Sequence, residues 1–140
     1  MSILSETKDI KRVLNESKTV AVLGAHTNES KAAYYVPRYL DANGYDVQPV
    51  NPVFAGQTLF GKNVAENLQA LDTQIDVVDV FRRSEALDEH VEDILAMNPK
   101  PKVVWFQLGI KNDVVAKTLS DAGIDVIQDR CMLADHQYLL

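Results

Sequence analysis

Apolar positions along this chain change their spacing repeatedly, and each change marks an element. Ile3, Leu4, Ile10, Val13 and Leu14 stand among charges, a pattern that predicts an N-terminal amphipathic helix over residues 3–15, packed on the flank of a sheet. A strand follows at 19–23, a helix at 34–42 closed by Asn43-Gly44, and a strand at 46–50. The alternation then repeats with a strand at 75–80, a helix at 85–97, a strand at 103–107, a helix at 113–122 and a strand at 125–127. Runs 20–23 and 103–106 are apolar at every position, as burial on both faces requires. Five strands alternating with helices imply an α/β protein with a Rossmann-like, doubly wound, parallel sheet. Its expected order is 3-2-1-4-5, which puts the topological switch point between the first and fourth strands. Residues 51–63 hold Pro52, Gly56 and Gly61, too many breakers for an ordinary crossover helix, so a short helix near 64–71 is expected to complete that connection.

The chain has 140 residues, 46% hydrophobic and 24% charged, enough for one domain over 1–140 with no room for a separate substrate domain. No run of about 18 apolar residues is present to span a bilayer. Residues 1–20 lack the basic-then-apolar pattern of a secretory signal, so a cytoplasmic location is expected. Cys131 is the single cysteine, which rules out an internal disulfide and a cysteine-based zinc cluster. His26, His90 and His136 are dispersed without metal-ligand spacing, and no metal is expected. A formal charge of −6 argues against broad nucleic-acid binding. An anionic small ligand would therefore need local help from helix dipoles and a few cations, with Lys31, Arg38, Lys62, Arg82 and Arg83 available.

Two strand ends carry the candidate chemistry. The first strand breaks at Gly24-Ala25-His26, where Gly24 permits close approach of a ligand to the main chain and the following helix offers free amides to a phosphate. A dinucleotide fingerprint would need glycine where His26 and Glu29 stand, so the NAD pattern is incomplete. Pro37 belongs in a helix's first turn, which places the helix start near Ala33 or Tyr34 and makes the preceding loop about ten residues long, beyond the usual two to six. Thr27, Asn28, Ser30 and Lys31 supply polar groups along it. The second strand ends in Val50-Asn51-Pro52, with an amide where NAD-type domains carry a ribose-binding acid. A neutral group there favours a 3′-phosphorylated adenosine over NAD, although NADP sites avoid the acid too.

With both ends in hand, the chain resembles the small stand-alone coenzyme A-binding domain family related to the N-terminal domain of the succinyl-CoA synthetase α subunit. The matching stretches are Val20-Ala21-Val22-Leu23-Gly24-Ala25, Arg38-Tyr39-Leu40, Gly44-Tyr45-Asp46-Val47, Val50-Asn51-Pro52, Asp76-Val77-Val78-Asp79-Val80-Phe81-Arg82, Val104-Trp105-Phe106-Gln107-Leu108-Gly109-Ile110 and Asp129-Arg130-Cys131. The resemblance implies a Rossmann-like fold that cradles coenzyme A. It places Gly24 and Ala25 at the diphosphate turn, Val50, Asn51 and Pro52 at the adenosine end, and Phe81, Arg82, Gln107 and Gly109 along the same crevice. Two departures stand out: His26 replaces a serine frequent in the family, and Leu133-Ala134-Asp135 stands where lysine and glutamate are usual. His26 is read as a neutral donor to phosphate, and Lys31 as an added charge.

Catalysis is not expected. Cys131 and His136 lack an orienting third group and an oxyanion site, since Asp135 adjoins the histidine in sequence. The favoured function is a non-catalytic or accessory module binding coenzyme A. The alternatives are an enzyme or partner subunit acting on acyl-CoA, and an NAD(P) or nucleotide sensor. Trp105 is read as core, and Arg82 as either a ligand contact or a surface partner of Glu85. The apolar C-terminal residues Met132, Leu133 and 138–140 are suited to capping the core or pairing two subunits, with a slight preference for a homodimer.

Overall fold

The computed structural model describes residues 2–140. Helix α1 (Thr7–Glu16) leads into β1 (Thr19–Leu23), α2 (Ala32–Ala42) and β2 (Asp46–Val50). A 3-10 turn (Pro52–Phe54), a hairpin of β3 (Thr58–Leu59) and β4 (Lys62–Asn63), and a second 3-10 turn (Leu68–Ala70) carry the chain to β5 (Val77–Val80). A 3-10 segment (Ser84–His90) runs into α3 (Val91–Leu95), followed by β6 (Val103–Phe106), α4 (Asp113–Asp121), β7 (Asp125–Ile127) and α5 (Met132–Leu139).

Five strands form one parallel sheet in the order β2-β1-β5-β6-β7. The α/β class, the five parallel strands and the N-terminal helix are as the sequence predicts, but the order is not. Counted along the chain the five run 2-1-3-4-5 instead of 3-2-1-4-5, because β5 lies beside β1 and not outside β2. The reason is written in β2. Pro49 has no N–H to donate to an outer neighbour, which suits an edge strand. Its carbonyl does face outward, and it accepts from Ala65 N–H at 3.0 Å. Among the described residues that edge carries an isolated bridge between Val50 and Ala65 and no further strand of the sheet. The opposite edge, β7, is closed by the N-terminal segment, with Leu4 N–H to Val126 O at 2.7 Å and Val126 N–H to Ser2 O at 2.9 Å.

Alternating side chains of the strands divide the core between the two faces. Val20, Val22, Val77 and Trp105 pack under α1, α2 and α5, with Ile10, Leu14, Val36, Leu40 and Met132. Ala21, Val78, Val104 and Phe106 pack under α3 and α4, with Ile94, Val115 and Leu119. Trp105 is core, as expected, with its Nε1–H on Arg130 O at 2.7 Å.

Two expected helices change form, and a helix forms at the C-terminus where none was predicted. Residues 64–71 yield only the Leu68–Ala70 turn, because Val64 and Ala65 are held extended by bonds to Gln57 and Pro49. The helix expected over 85–97 is mostly a 3-10 segment, with α3 limited to Val91–Leu95. The C-terminal apolar residues form α5, whose Met132 is fully buried while Tyr138 is exposed.

Candidate functional site

Beyond β1 the chain turns to α2 on one face, and beyond β5 it turns to α3 on the other. Their connections diverge between the first and third strands, one strand from where the order 3-2-1-4-5 would put the divergence. Ligands of open α/β sheets bind at such a point. A cleft of about 450 Å³ opens there. Its walls are Lys31, Ala32 and Ala33 at the start of α2, residues 81–85 after β5, and Gly109 with Ile110 after β6.

Gly24 forms the hinge of the first wall. Its N–H donates to Val50 O at 2.8 Å, so that amide belongs to the sheet. Its φ is +95°, and a Cβ would stand 2.7 Å from the carbonyl oxygen of Phe81. The close approach that requires glycine here is therefore between the ends of β1 and β5 themselves, sealed by Phe81 N–H to Leu23 O at 2.9 Å. Ala25 is fully buried next to it.

Pro37 shapes the loop between Gly24 and α2. It lies inside the helix and not in its first turn, so α2 starts slightly earlier than the proline suggests. Lacking an N–H, Pro37 leaves the Ala33 carbonyl without its helical donor. His26 N–H takes that place at 3.2 Å, drawing the loop onto the helix. Asn28 N–H donates to His26 Nδ1 at 2.9 Å, and Asn28 Oδ1 accepts from Ser30 N–H at 3.0 Å and Ser30 Oγ at 2.8 Å. Tyr34 and Tyr35 both donate to Lys31 O, and Lys31 N–H to Asn28 O. This leaves the amides of Ala32 and Ala33, which line the cleft, unpaired among the described residues.

The second strand end faces inward. Asn51 is buried, its Nδ2 donating to Ala25 O at 2.9 Å and its Oδ1 accepting from Val53 N–H at 3.0 Å. It ties the ends of β1 and β2 together. Gln107 is likewise buried, with Oε1 accepting from Met132 N–H at 3.0 Å at the start of α5. Val50 is fully buried and Pro52 exposed. Gly109, exposed with φ +84°, donates its N–H to Asp129 Oδ1 at 2.6 Å.

Charge is distributed unevenly around the cleft. Lys31 and Arg82 make no ion pair among the described residues, while Glu85 pairs at 3.8 Å with Arg83. Arg82 Nε is buried without a hydrogen-bond partner, an unmet donor at the cleft wall. Burial, and then the charge of Arg82, push the pKa of His90 below its ordinary value, so its ring is neutral at neutral pH.

Asp79 is the second anomaly. It lies on β5 between Val22 and Trp105, fully buried, and neither carboxyl oxygen has a partner. Burial raises its pKa well above the ordinary 3.8. The folded protein thus holds a proton that the unfolded chain gives up above about pH 4. Stability falls with rising pH from there until the folded-state pKa is passed, by up to about 1.4 kcal/mol per pH unit. Asp79→Asn removes this titration while keeping the shape. Urea midpoints measured across pH are expected to show the variant gaining on the wild type as pH rises; two parallel curves would contradict a neutral, buried Asp79.

Of the residues predicted from sequence, Lys31, Phe81, Arg82 and Gly109 line the cleft, whereas Gly24, Ala25, Val50, Asn51 and Gln107 lie beneath or behind it as buried supports. His26 and Pro52 stand at the surface on the β2 side. Arg83, one of the candidate cations, lines it too, as do Ser84 and Ile110, for which the sequence offers only adjacency to Arg82 and Gly109 as a signal. Cys131 caps α5, while His136 Nδ1 is hydrogen-bonded to the Tyr39 hydroxyl at 2.7 Å and Asp135 is paired in a fork with Arg130 at 2.7 and 2.9 Å. No group of three or more His, Cys, Asp or Glu side chains among the described residues could hold a metal, and no helix among them is long and apolar enough to cross a membrane.

Residues 18–137 match the CoA binding domain family. The chain belongs to that family. A relative, the uncharacterized protein YneT of Bacillus subtilis (strain 168), is 33% identical over 128 residues, covering 91% of this chain and 92% of its own. Among solved structures, the cell-free ID.343 protein of Thermus thermophilus superposes with a TM-score of 0.92 at 43% identity, covering 97% of this chain and 100% of its own. A hypothetical protein from Pyrococcus horikoshii OT3 gives a TM-score of 0.88 at 32% identity, covering 96% and 92%. The Rossmann-like architecture of this chain is thus shared with these solved structures.

Proposed function

We propose that this protein binds coenzyme A, or an acyl-CoA, in the cleft between β1 and β5, as an accessory module without catalysis of its own. The observation that carries this reading is the meeting of unpaired Ala32 and Ala33 amides with Lys31, Arg82 and Arg83 at the switch point of a chain whose net charge is −6. Helix-start amides and guanidinium groups are suited to a diphosphate. Phe81 and Ile110 give the same cleft an apolar side for the pantetheine arm. Gly24 and Ala25 shape the turn, and Asn51, Val50 and Gln107 hold the strand ends that frame it. Membership of the CoA-binding-domain family supports the choice of ligand.

An NAD-binding reading is disfavoured by the same geometry. The position of the ribose-binding acid is held by Asn51, a buried neutral amide bonded inward to Ala25 O and Val53 N–H. Thermal unfolding with coenzyme A, dephospho-coenzyme A, NAD and NADP separates the readings. A ligand at about 100 times its Kd stabilises the native state by about 2.7 kcal/mol, about 8 °C for a domain of this size. Coenzyme A is expected to give the largest shift. No shift at millimolar coenzyme A, or a larger one with NAD, would overturn the proposal.

A further inference from the structure

We propose that His26 reads the 3′-phosphate of the bound nucleotide, donating to it from Nε2 of a neutral ring; the inference rests on the coenzyme A reading above. Its first support is position. His26 follows Ala25, whose carbonyl is held by Asn51 at the end of β2. Its ring meets Phe54 edge-on, centroids 4.8 Å apart at 69°, and Phe54 closes the turn directly after β2. The imidazole therefore sits on the β2 side of the loop and is not among the residues lining the cleft between β1 and β5. In doubly wound nucleotide folds the adenosine ribose lies at the end of the second strand. A phosphate on that ribose meets the β2 side, while the diphosphate occupies the cleft.

The second support is the state of the ring. Nδ1 accepts the Asn28 N–H, so the proton of the neutral imidazole is on Nε2. Asn28 is itself fixed by Ser30 and by Lys31 N–H on its carbonyl at 3.0 Å. The ring is left with one polar atom, a donor, which has no hydrogen-bond partner among the described residues. The third support is that Asn51, at the position where NAD-type domains carry a ribose-binding acid, is buried with its amide bonded inward to Ala25 O and Val53 N–H. A lone N–H donor bonds a charged phosphate oxygen about twice as strongly as a neutral hydroxyl.

Calorimetric titration of wild type, His26→Ala and His26→Gln with coenzyme A and dephospho-coenzyme A tests this. Wild type is expected to prefer coenzyme A by about tenfold or more, the usual range for one hydrogen bond to a charged group. His26→Ala should lose that preference by weakening coenzyme A binding alone, and His26→Gln, which keeps a donor, should recover part of it. Equal losses for both ligands in His26→Ala, or no preference in wild type, would overturn the proposal while leaving coenzyme A binding intact. Failure of wild type to bind either ligand would instead remove the coenzyme A reading on which it stands. Nitrogen-15 NMR of the intact protein gives a readout independent of the variants. The free ring should carry its proton on Nε2, and that resonance should move with coenzyme A and not with dephospho-coenzyme A; a proton on Nδ1 would contradict the assignment.

Discussion

Gly24→Ala is expected to destabilise the fold by about 2–6 kcal/mol. Two costs combine in that figure: about 1–3 kcal/mol for a side chain at strongly positive φ, and about 1–3 kcal/mol for an overpacked contact. The new Cβ would stand 2.7 Å from the Phe81 carbonyl oxygen, at φ +95°. Neither partner yields cheaply, since both are main chain and Phe81 N–H is bonded to Leu23 O. Gly44→Ala is the matched control. Its φ is +94°, but nothing lies within 4 Å of its Cβ, so it should cost only the conformational part, about 1–3 kcal/mol. Chemical denaturation of both variants checks the difference. Equal losses would mean that β1 and β5 can part at their ends, and that the cleft between them is not rigidly built.

Arg82→Met is expected to weaken coenzyme A binding by about 10- to 100-fold while leaving stability within about 0.5 kcal/mol of wild type. The guanidinium lines the cleft, has no ion pair among the described residues, and leaves Nε buried without an acceptor. Removing it breaks no hydrogen bond among the described residues, and methionine keeps an unbranched apolar stem. His90 gives an internal reporter, because loss of the neighbouring positive charge should raise its pKa toward the ordinary 6.5. Unchanged affinity measured by calorimetry would exclude Arg82 as a ligand contact. A large loss of stability would instead make it a structural residue.

Strands were legible because burial on both faces demands apolar runs such as Val103 to Phe106, which few other structures produce. Their order depends on pairing between distant segments, and the commoner arrangement of the fold class proved misleading. Pro49 was the available clue, since a strand residue without an N–H belongs at an edge. The start of α2 was misjudged for a related reason. Pro37 is normally read as a first-turn residue, but His26 N–H supplies the donor that the Ala33 carbonyl lacks, and that contact is tertiary. At the candidate site, polar residues at strand ends look alike in sequence whether they face a ligand or brace the backbone. Lys31 and Arg82 prove to line the cleft, whereas Asn51 and Gln107 turn inward to bond Ala25, Val53 and Met132. Asp79 reads as one residue of an apolar strand, and nothing in its neighbours announces a carboxyl without a partner.

The most direct test of a phosphate-holding cleft at the switch point is a crystal structure grown with coenzyme A. The diphosphate is predicted to lie within hydrogen-bond distance of the Ala32 and Ala33 amides and of Arg82, with the adenosine over the end of β2. A diphosphate bound elsewhere on the molecule, with this cleft empty or filled by the protein's own side chains, would contradict the account.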